Sequence, residues 1–197
     1  MEYGPRALGN RSIIGDPRSF EMQSKLNLKI KFRESFRPFA PSVLEEDAGK
    51  YFEIDCVSPY MLLCADVCQE RRKEFLLEEE LRLSEENLLT VVSKVRSDIP
   101  SVTHVDYSAR IQTVSKENNL LYYNIIKAFK QLTGCSVVIN TSFNVRGEPI
   151  VCTPEDAYLC FMRTDMDVLV LGNCILYKDE QPRFMEDEDW RNIYELD

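Results

Sequence analysis

Apolar and polar positions divide the chain into short segments whose period keeps changing. Residues 20–30 read as a short helix, and PYMLLCA (Pro59–Ala65) as a buried strand. The run ARIQTV alternates apolar and polar positions, the mark of a half-buried strand. Between Asn118 and Leu132, apolar residues fall at Leu121, Ile125, Phe129 and Leu132, which is helical spacing, and Gly134 is a natural stop. Ser136–Ile139 (SVVI) predicts a short buried strand leading into the polar loop NTSFNVRGEP. Thr153 as N-cap, Pro154 in the first turn and Asp156 in the capping-box position open another helix. Asp167–Tyr177 predicts one or two strands broken at Gly172-Asn173. Strands alternating with helices point to an α/β sheet with parallel and antiparallel pairs. Residues 69–90, dominated by Glu, Arg and Leu, predict a solvated helix or ordered insertion, a charged face and not a site.

Composition narrows the class without naming a chemistry. A chain of 197 residues, 44 % hydrophobic and 29 % charged, suits one globular domain with a tail. No apolar run approaches the roughly 20 residues of a membrane span and no signal-peptide pattern opens the chain, so a cytoplasmic protein is expected. The seven cysteines are odd in number and scattered, without a CxxC pair or zinc spacing, so buried thiols in a reducing compartment are expected and no metal site. Charge changes the picture more. Residues 1–44 hold eight basic and four acidic side chains within a protein of net charge −9, and the tail 179–197 holds two basic and eight acidic. An acidic whole argues against non-specific nucleic-acid binding, whereas a local basic cluster suits a small anion in a cleft.

Three places concentrate polar residues that packing does not explain. In Lys29-Ile30-Lys31-Phe32-Arg33, read as extended, Lys29, Lys31 and Arg33 share one face and Phe32 anchors the other, giving a phosphate-sized anion site or a solvated basic edge. Around Thr103–Gln112, His104 and Asp106 form either a general-base pair or a locally bonded turn, and Arg110 and Gln112 face away from Ile111. In the third, Asn140, Thr141, Ser142 and Asn144 close a buried strand, with Arg146 beside Gly147, as a ligand loop or a hydrogen-bonded turn. A fourth stretch, Glu2–Ser12, has two glycines and two arginines like a phosphate-approaching loop, but matches neither a Walker loop nor a Rossmann fingerprint.

Taken together, EYGPRALGNRSIIGDPR, KIKFRESFRPFAPSVLEED, SPYML, THVDYSARIQTV, VVINTSFNVRGEPIVCTPEDAYLCF and MDVLVLGN closely resemble the carbamoyltransferase family of nodulation-factor and antibiotic O-carbamoyltransferases. The resemblance covers residues 1–178 and only the C-terminal, YrdC-like half of those enzymes, without the Kae1-like half that precedes it. It implies a YrdC-like α/β (α+β) fold, a twisted mixed sheet flanked by helices with a basic concave cleft, followed by an acidic tail at 179–197.

The implied activity is formation of carbamoyl-adenylate from carbamoyl phosphate and ATP with Mg²⁺. The Kae1-like domain, the implied partner, would then pass the carbamoyl group to a hydroxyl. The family's Lys-x-Arg and Ser-x-Asn signature falls on Lys31/Arg33 and Ser142/Asn144, and Arg110 resembles an additional phosphate-binding arginine. Asn140, Thr141, Arg146 and His104 are the accompanying substrate-binding candidates. Tyr107 stands where relatives often have Gly. The alternative reading is a nucleotide- or RNA-binding module of the same fold, inactive as an isolated fragment; the net charge and the lack of basic–aromatic interleaving weigh against RNA.

Overall fold

The computed structural model describes residues 6–73, 91–92 and 94–184. Among them, five strands form one mixed sheet: β1 (Ser12–Gly15), β2 (Ala40–Leu44), β3 (Leu63–Asp66), β4 (Ser108–Val114) and β5 (Val137–Ser142). Their order is β1-β5-β2-β4-β3, with β2 and β4 parallel and the other neighbours antiparallel. Helices α1 (Phe20–Lys29), α2 (Leu120–Thr133) and α3 (Pro154–Met162) flank it, and β6 (Val168–Leu171) and β7 (Cys174–Tyr177) make a separate hairpin.

Strand alternation sorts the core. Val43, Ala109, Ile111, Val137 and Ile139 project to one face, where they pack with Leu26 and Ile30 at α1 and with Ala157, Cys160 and Phe161 of α3. The opposite face carries Leu44, Val114 and Val138, which α2 covers with Tyr122, Tyr123 and Ile126. Two residues along the same strands, that face turns polar, with Ser42, Gln112 and Asn140 all buried.

Local signals explain the element ends. Asn119 caps α2 by accepting from the Tyr122 N–H, and Gly134, at φ +77°, closes it in the left-handed conformation that glycine adopts freely. At α3 the expected capping box forms: Thr153 accepts from the Asp156 N–H, and Asp156 accepts in turn from the Thr153 N–H.

Three of the expected elements differ, and a fourth lies mostly outside the described residues. The 59–65 stretch yields a strand only from Leu63, at the sheet edge, where Leu63 and Cys64 are exposed. ARIQTV is more than half-buried, because β4 runs between β2 and β3. On α2, Leu121, Ile125 and Leu132 face outward, and the buried stripe is Tyr122, Tyr123 and Ile126, with Phe129 packed against it. The predicted insertion at 69–90 shows a 3-10 turn at Gln69–Arg71, and its residues 74–90 lie outside the described ones, as do 185–197 of the tail.

Candidate functional site

The first place is a turn, not an extended strand. After Lys29, the Lys31 and Arg33 N–H groups still reach back to the Leu26 and Asn27 carbonyls, and Phe32 takes φ +48°. Asn27, wholly buried, holds this turn: its Nδ2 donates to the Ser35 and Arg37 carbonyls at 3.0 and 2.8 Å, and its Oδ1 accepts from Arg33 Nε at 2.6 Å. Lys29 is therefore left exposed on the helix while Lys31 is driven inward, so the expected common face of Lys29, Lys31 and Arg33 does not form.

Lys31 instead meets the third place. Its Nζ donates to the Ser142 carbonyl and Oγ at 2.5 and 3.2 Å, and to the Asn144 carbonyl and Oδ1 at 2.8 and 2.7 Å. Four oxygens around one ammonium leave it no donor for another group. Burial and the neighbouring Arg33 charge push its pKa down to about 7. The loop is closed further by Ser142 Oγ donating to Asn144 Oδ1, Asn144 Nδ2 to the Glu148 carbonyl, and the Val145 N–H to Glu148 Oε2. Gly147 takes φ +76° within this turn. The two halves of the Lys-x-Arg and Ser-x-Asn signature thus touch through Lys31. Arg33 bonds Asn27 and lies 4.9 Å over the Phe39 ring, and burial, with Arg37 nearby, lowers its pKa to about 10.

Not every residue of the loop turns the same way. Because β5 continues through Ser142, Thr141 pairs with Ile13 and falls on the face of Ile139, opposite Asn140 and Ser142. Thr141 is therefore separated from the site residues it was grouped with. Arg146 lies 3.9 Å from Glu34, across the loop from the α1 turn.

Asn140 anchors the polar half of the sheet face. Its Nδ2 reaches Gln112 Oε1, the Ala7 carbonyl and Ser42 Oγ at 2.8, 3.0 and 3.1 Å, while Ser42 Oγ donates to Gln112 Oε1 at 2.6 Å. Gln112 Nε2 donates to the Leu8 carbonyl, so residues 7 and 8 are strapped across the sheet. Gly9 makes the strap possible: its φ is +105°, and a Cβ there would meet the Tyr122 ring at 2.3 Å.

Arg110 lies on β4 two residues before Gln112. By the parallel register it is level with Ala40, which pairs with Asn140. Three strands put about 10 Å between the Arg110 and Asn140 rows. Burial, then the positive charge of Arg6, lowers the Arg110 pKa. Arg6 Nε, Arg110 Nε and Asn140 Oδ1 are buried without a hydrogen-bond partner, a costly state for polar atoms unless something meets them. Arg6 is a site residue that the sequence does not single out by itself. Its signal was the Gly-Pro-Arg-Ala-Leu-Gly stretch, which looked like an anion loop but matched no known fingerprint. Asn27 and Ser42 carry no chemical signal in the sequence, and Gln112 shows only as sharing a strand face with Arg110, since all three act by holding others in place.

His104 and Asp106 do not bond each other. Ser108 Oγ donates to Asp106 Oδ1 at 2.8 Å and lies 3.2 Å from His104 Nδ1, so His104 sits in a local turn with its Nδ1 proton toward Ser108. Burial lowers the His104 pKa against the pull of Asp106, and the Arg110 charge lowers it further. Tyr107 has φ +66° in this turn, which explains physically why glycine suits the position. Among the described residues no group of three His, Cys, Asp or Glu side chains is placed to hold a metal ion, and no helix is long and apolar enough to cross a membrane. Cations and amides predominate in this region, a donor set for phosphate oxygens, while the Glu34, Asp106 and Glu148 carboxylates are paired with Arg146, Ser108 and the Val145 N–H.

Comparison with known proteins places the chain in a family. A protein of Synechocystis with no assigned function is 60 % identical over 197 residues, 100 % of this chain and 31 % of the relative. Nodulation protein NolNO of Sinorhizobium fredii is 42 % identical over 195 residues, 98 % of this chain and 25 % of the relative. The 3'-hydroxymethylcephem-O-carbamoyltransferase of Amycolatopsis lactamdurans is 35 % identical over 170 residues, 86 % of this chain and 28 % of the relative. The chain thus spans between a quarter and a third of the length of these relatives. The family described as "Carbamoyltransferase C-terminus" matches residues 1–178, and the chain belongs to that family.

Proposed function

We propose that this chain is the carbamoyl-adenylate-forming part of an ATP-dependent O-carbamoyltransferase. Water first cleaves carbamoyl phosphate to carbamate and inorganic phosphate. A carbamate oxygen then forms a bond to the α-phosphorus of ATP, the bond from that phosphorus to the bridging oxygen breaks, and pyrophosphate leaves. The carbamoyl group would pass to a hydroxyl acceptor at another domain of the longer protein.

The chemistry asks for fixed positive charge more than for a nucleophile. Two polyanions have to lie side by side, and charge building on the phosphoryl oxygens has to be stabilised as the bond order shifts. Arg110 and Arg6 would meet phosphate oxygens from β4 and the strap, with Mg²⁺ carried on the triphosphate. Arg33, rigidly held by Asn27, would supply a further guanidinium. Lys31 works at one remove: by filling the oxygens of Ser142 and Asn144 it fixes the loop that would orient the small carbamoyl end. Holding both reactants in register supplies much of the rate gain.

The observation that carries the reading is the pair of arginines with buried, unpartnered Nε atoms on a polar sheet face, in a chain of this family. The test is carbamoyl-phosphate-dependent ATP–pyrophosphate exchange. Arg110→Ala should lower exchange by at least about 100-fold, near 3 kcal/mol of transition-state stabilisation, with melting temperature little changed. Arg33→Ala should lower it as far while also lowering the melting temperature, because the buried Asn27 Oδ1 loses its donor. Exchange at the wild-type rate in both variants would defeat the assignment.

A further inference from the structure

Helix α2 carries two apolar stripes, and the sheet uses one. Tyr122, Tyr123 and Ile126 are buried, with Phe129 packed beside them. Leu121, Ile125, Ala128 and Leu132 follow at i, i+4, i+7 and i+11, one line along the outer face. Leu121 is 73 % exposed, Ile125 42 % and Leu132 86 %, with Leu120 at 58 % at the same end as Leu121. Exposed Asn124, Lys127 and Gln131 border this line with polar groups. An apolar seam with a polar rim, on a helix already anchored by its other side, has the form of a protein–protein contact.

The position of the stripe indicates its occupant. Asn119, the N-cap of α2, donates from Nδ2 to Asn10 Oδ1 at 3.4 Å, and Gly9 packs on the Tyr122 ring. The strap of residues 6–10 therefore runs beside the N-terminal end of α2, where the stripe begins. In the relatives, this chain matches only 25–31 % of the length, and the family is that of a C-terminal portion. The larger part of each relative therefore lies ahead of this C-terminal portion.

We propose that the outer stripe of α2 is the docking face for the part of the longer protein that, in the relatives, precedes the matched segment. That part would present a complementary apolar groove with a polar border. A second copy of this chain is the rival occupant, and two copies would each bring a net charge of −9 to the contact.

The test uses the 197-residue chain and, as probe, the portion of the Synechocystis relative that precedes its match. Leu121→Asp with Ile125→Asp should weaken the complex by at least about 100-fold while leaving the circular dichroism spectrum and melting temperature of the chain unchanged. Val170→Asp, at an exposed apolar position on the β6–β7 hairpin, should leave binding as it is. In a single-chain fusion of the probe ahead of residue 1, a cysteine in Leu121→Cys should react with maleimide at least about tenfold more slowly than in the free chain, as read by peptide mass spectrometry. Equal labelling in the two contexts overturns the proposal. Binding lost in the hairpin variant but kept in the stripe variant overturns it too, as does a stripe whose substitution only dissolves a homodimer.

Discussion

Along one face of the sheet, the strands change character within two residues. At one end Leu44, Val114 and Val138 pack under Tyr122 and Ile126 of α2. At the other, Ser42, Gln112 and Asn140 bond one another beneath a strap of main chain, with Arg110 beyond them. Both halves exclude water, but they do so by different means. The apolar half gains from area removed from water, about 25 cal/mol per Å². The polar half gains little net energy from its hydrogen bonds and would lose a great deal if any were broken. A fold needs the first kind of surface. The second costs stability unless it performs another task, and here it brings arginines from two separate stretches within electrostatic reach of each other.

This contrast can be broken at several points. Lys31→Met keeps the aliphatic stem but strips the donor from four oxygens of Ser142 and Asn144, and should cost about 3 kcal/mol in urea unfolding as well as exchange activity. Loss of activity at full stability would instead make Lys31 a direct substrate ligand. Gly9→Ala acts where the halves meet. The added methyl clashes with Tyr122 at a positive φ, so stability should fall by about 2 kcal/mol and exchange should fall with it as Arg6 is displaced. Unaltered exchange would show that the strap does not hold Arg6 in place for the reaction.

The smallest effect belongs to the rim of the apolar half, where Lys130 of α2 meets the buried Asp47 carboxylate at 2.5 Å and Lys50 meets it at 2.7 Å. Burial pushes Asp47 up, but hydrogen bonds from Lys130, Lys50 and Ser136 more than offset this and hold its pKa at about 2. The unfolded chain binds that proton nearer 3.8, so the stabilisation is complete above that pH and fades as pH falls toward 2. Both lysines are well exposed, and screening limits the contribution to about 1 kcal/mol. Asp47→Asn should flatten the stability curve by that amount between pH 4 and 2, and an unchanged curve would remove the ion pairs from the account.

The sequence made some of this legible and hid the rest for physical reasons. The capping box at Thr153–Asp156 and the stop at Gly134 are local, so neighbouring residues sufficed to read them. The contact of Lys31 with Ser142 and Asn144 spans more than a hundred residues, so a family resemblance points to those pairs where spacing does not. Period alone misjudged Lys29–Arg33, because alternation also fits the end of a helix that a buried Asn27 winds into a turn. The apolar positions of α2 fit two stripes equally well, and only the sheet beneath decided for Tyr122 and Ile126. Thr141 neighbours Ser142 in sequence, but β5 runs three residues beyond Ile139, and strand alternation turns the Thr141 side chain to the other face.

Calorimetric titration of ATP into the chain, with Mg²⁺ and saturating carbamoyl phosphate, tests the polar half most directly. The account predicts one saturable site in the wild-type chain, with affinity lowered at least about tenfold in an Arg110→Ala variant of unchanged melting temperature. Equal ATP affinity in the two proteins would contradict it.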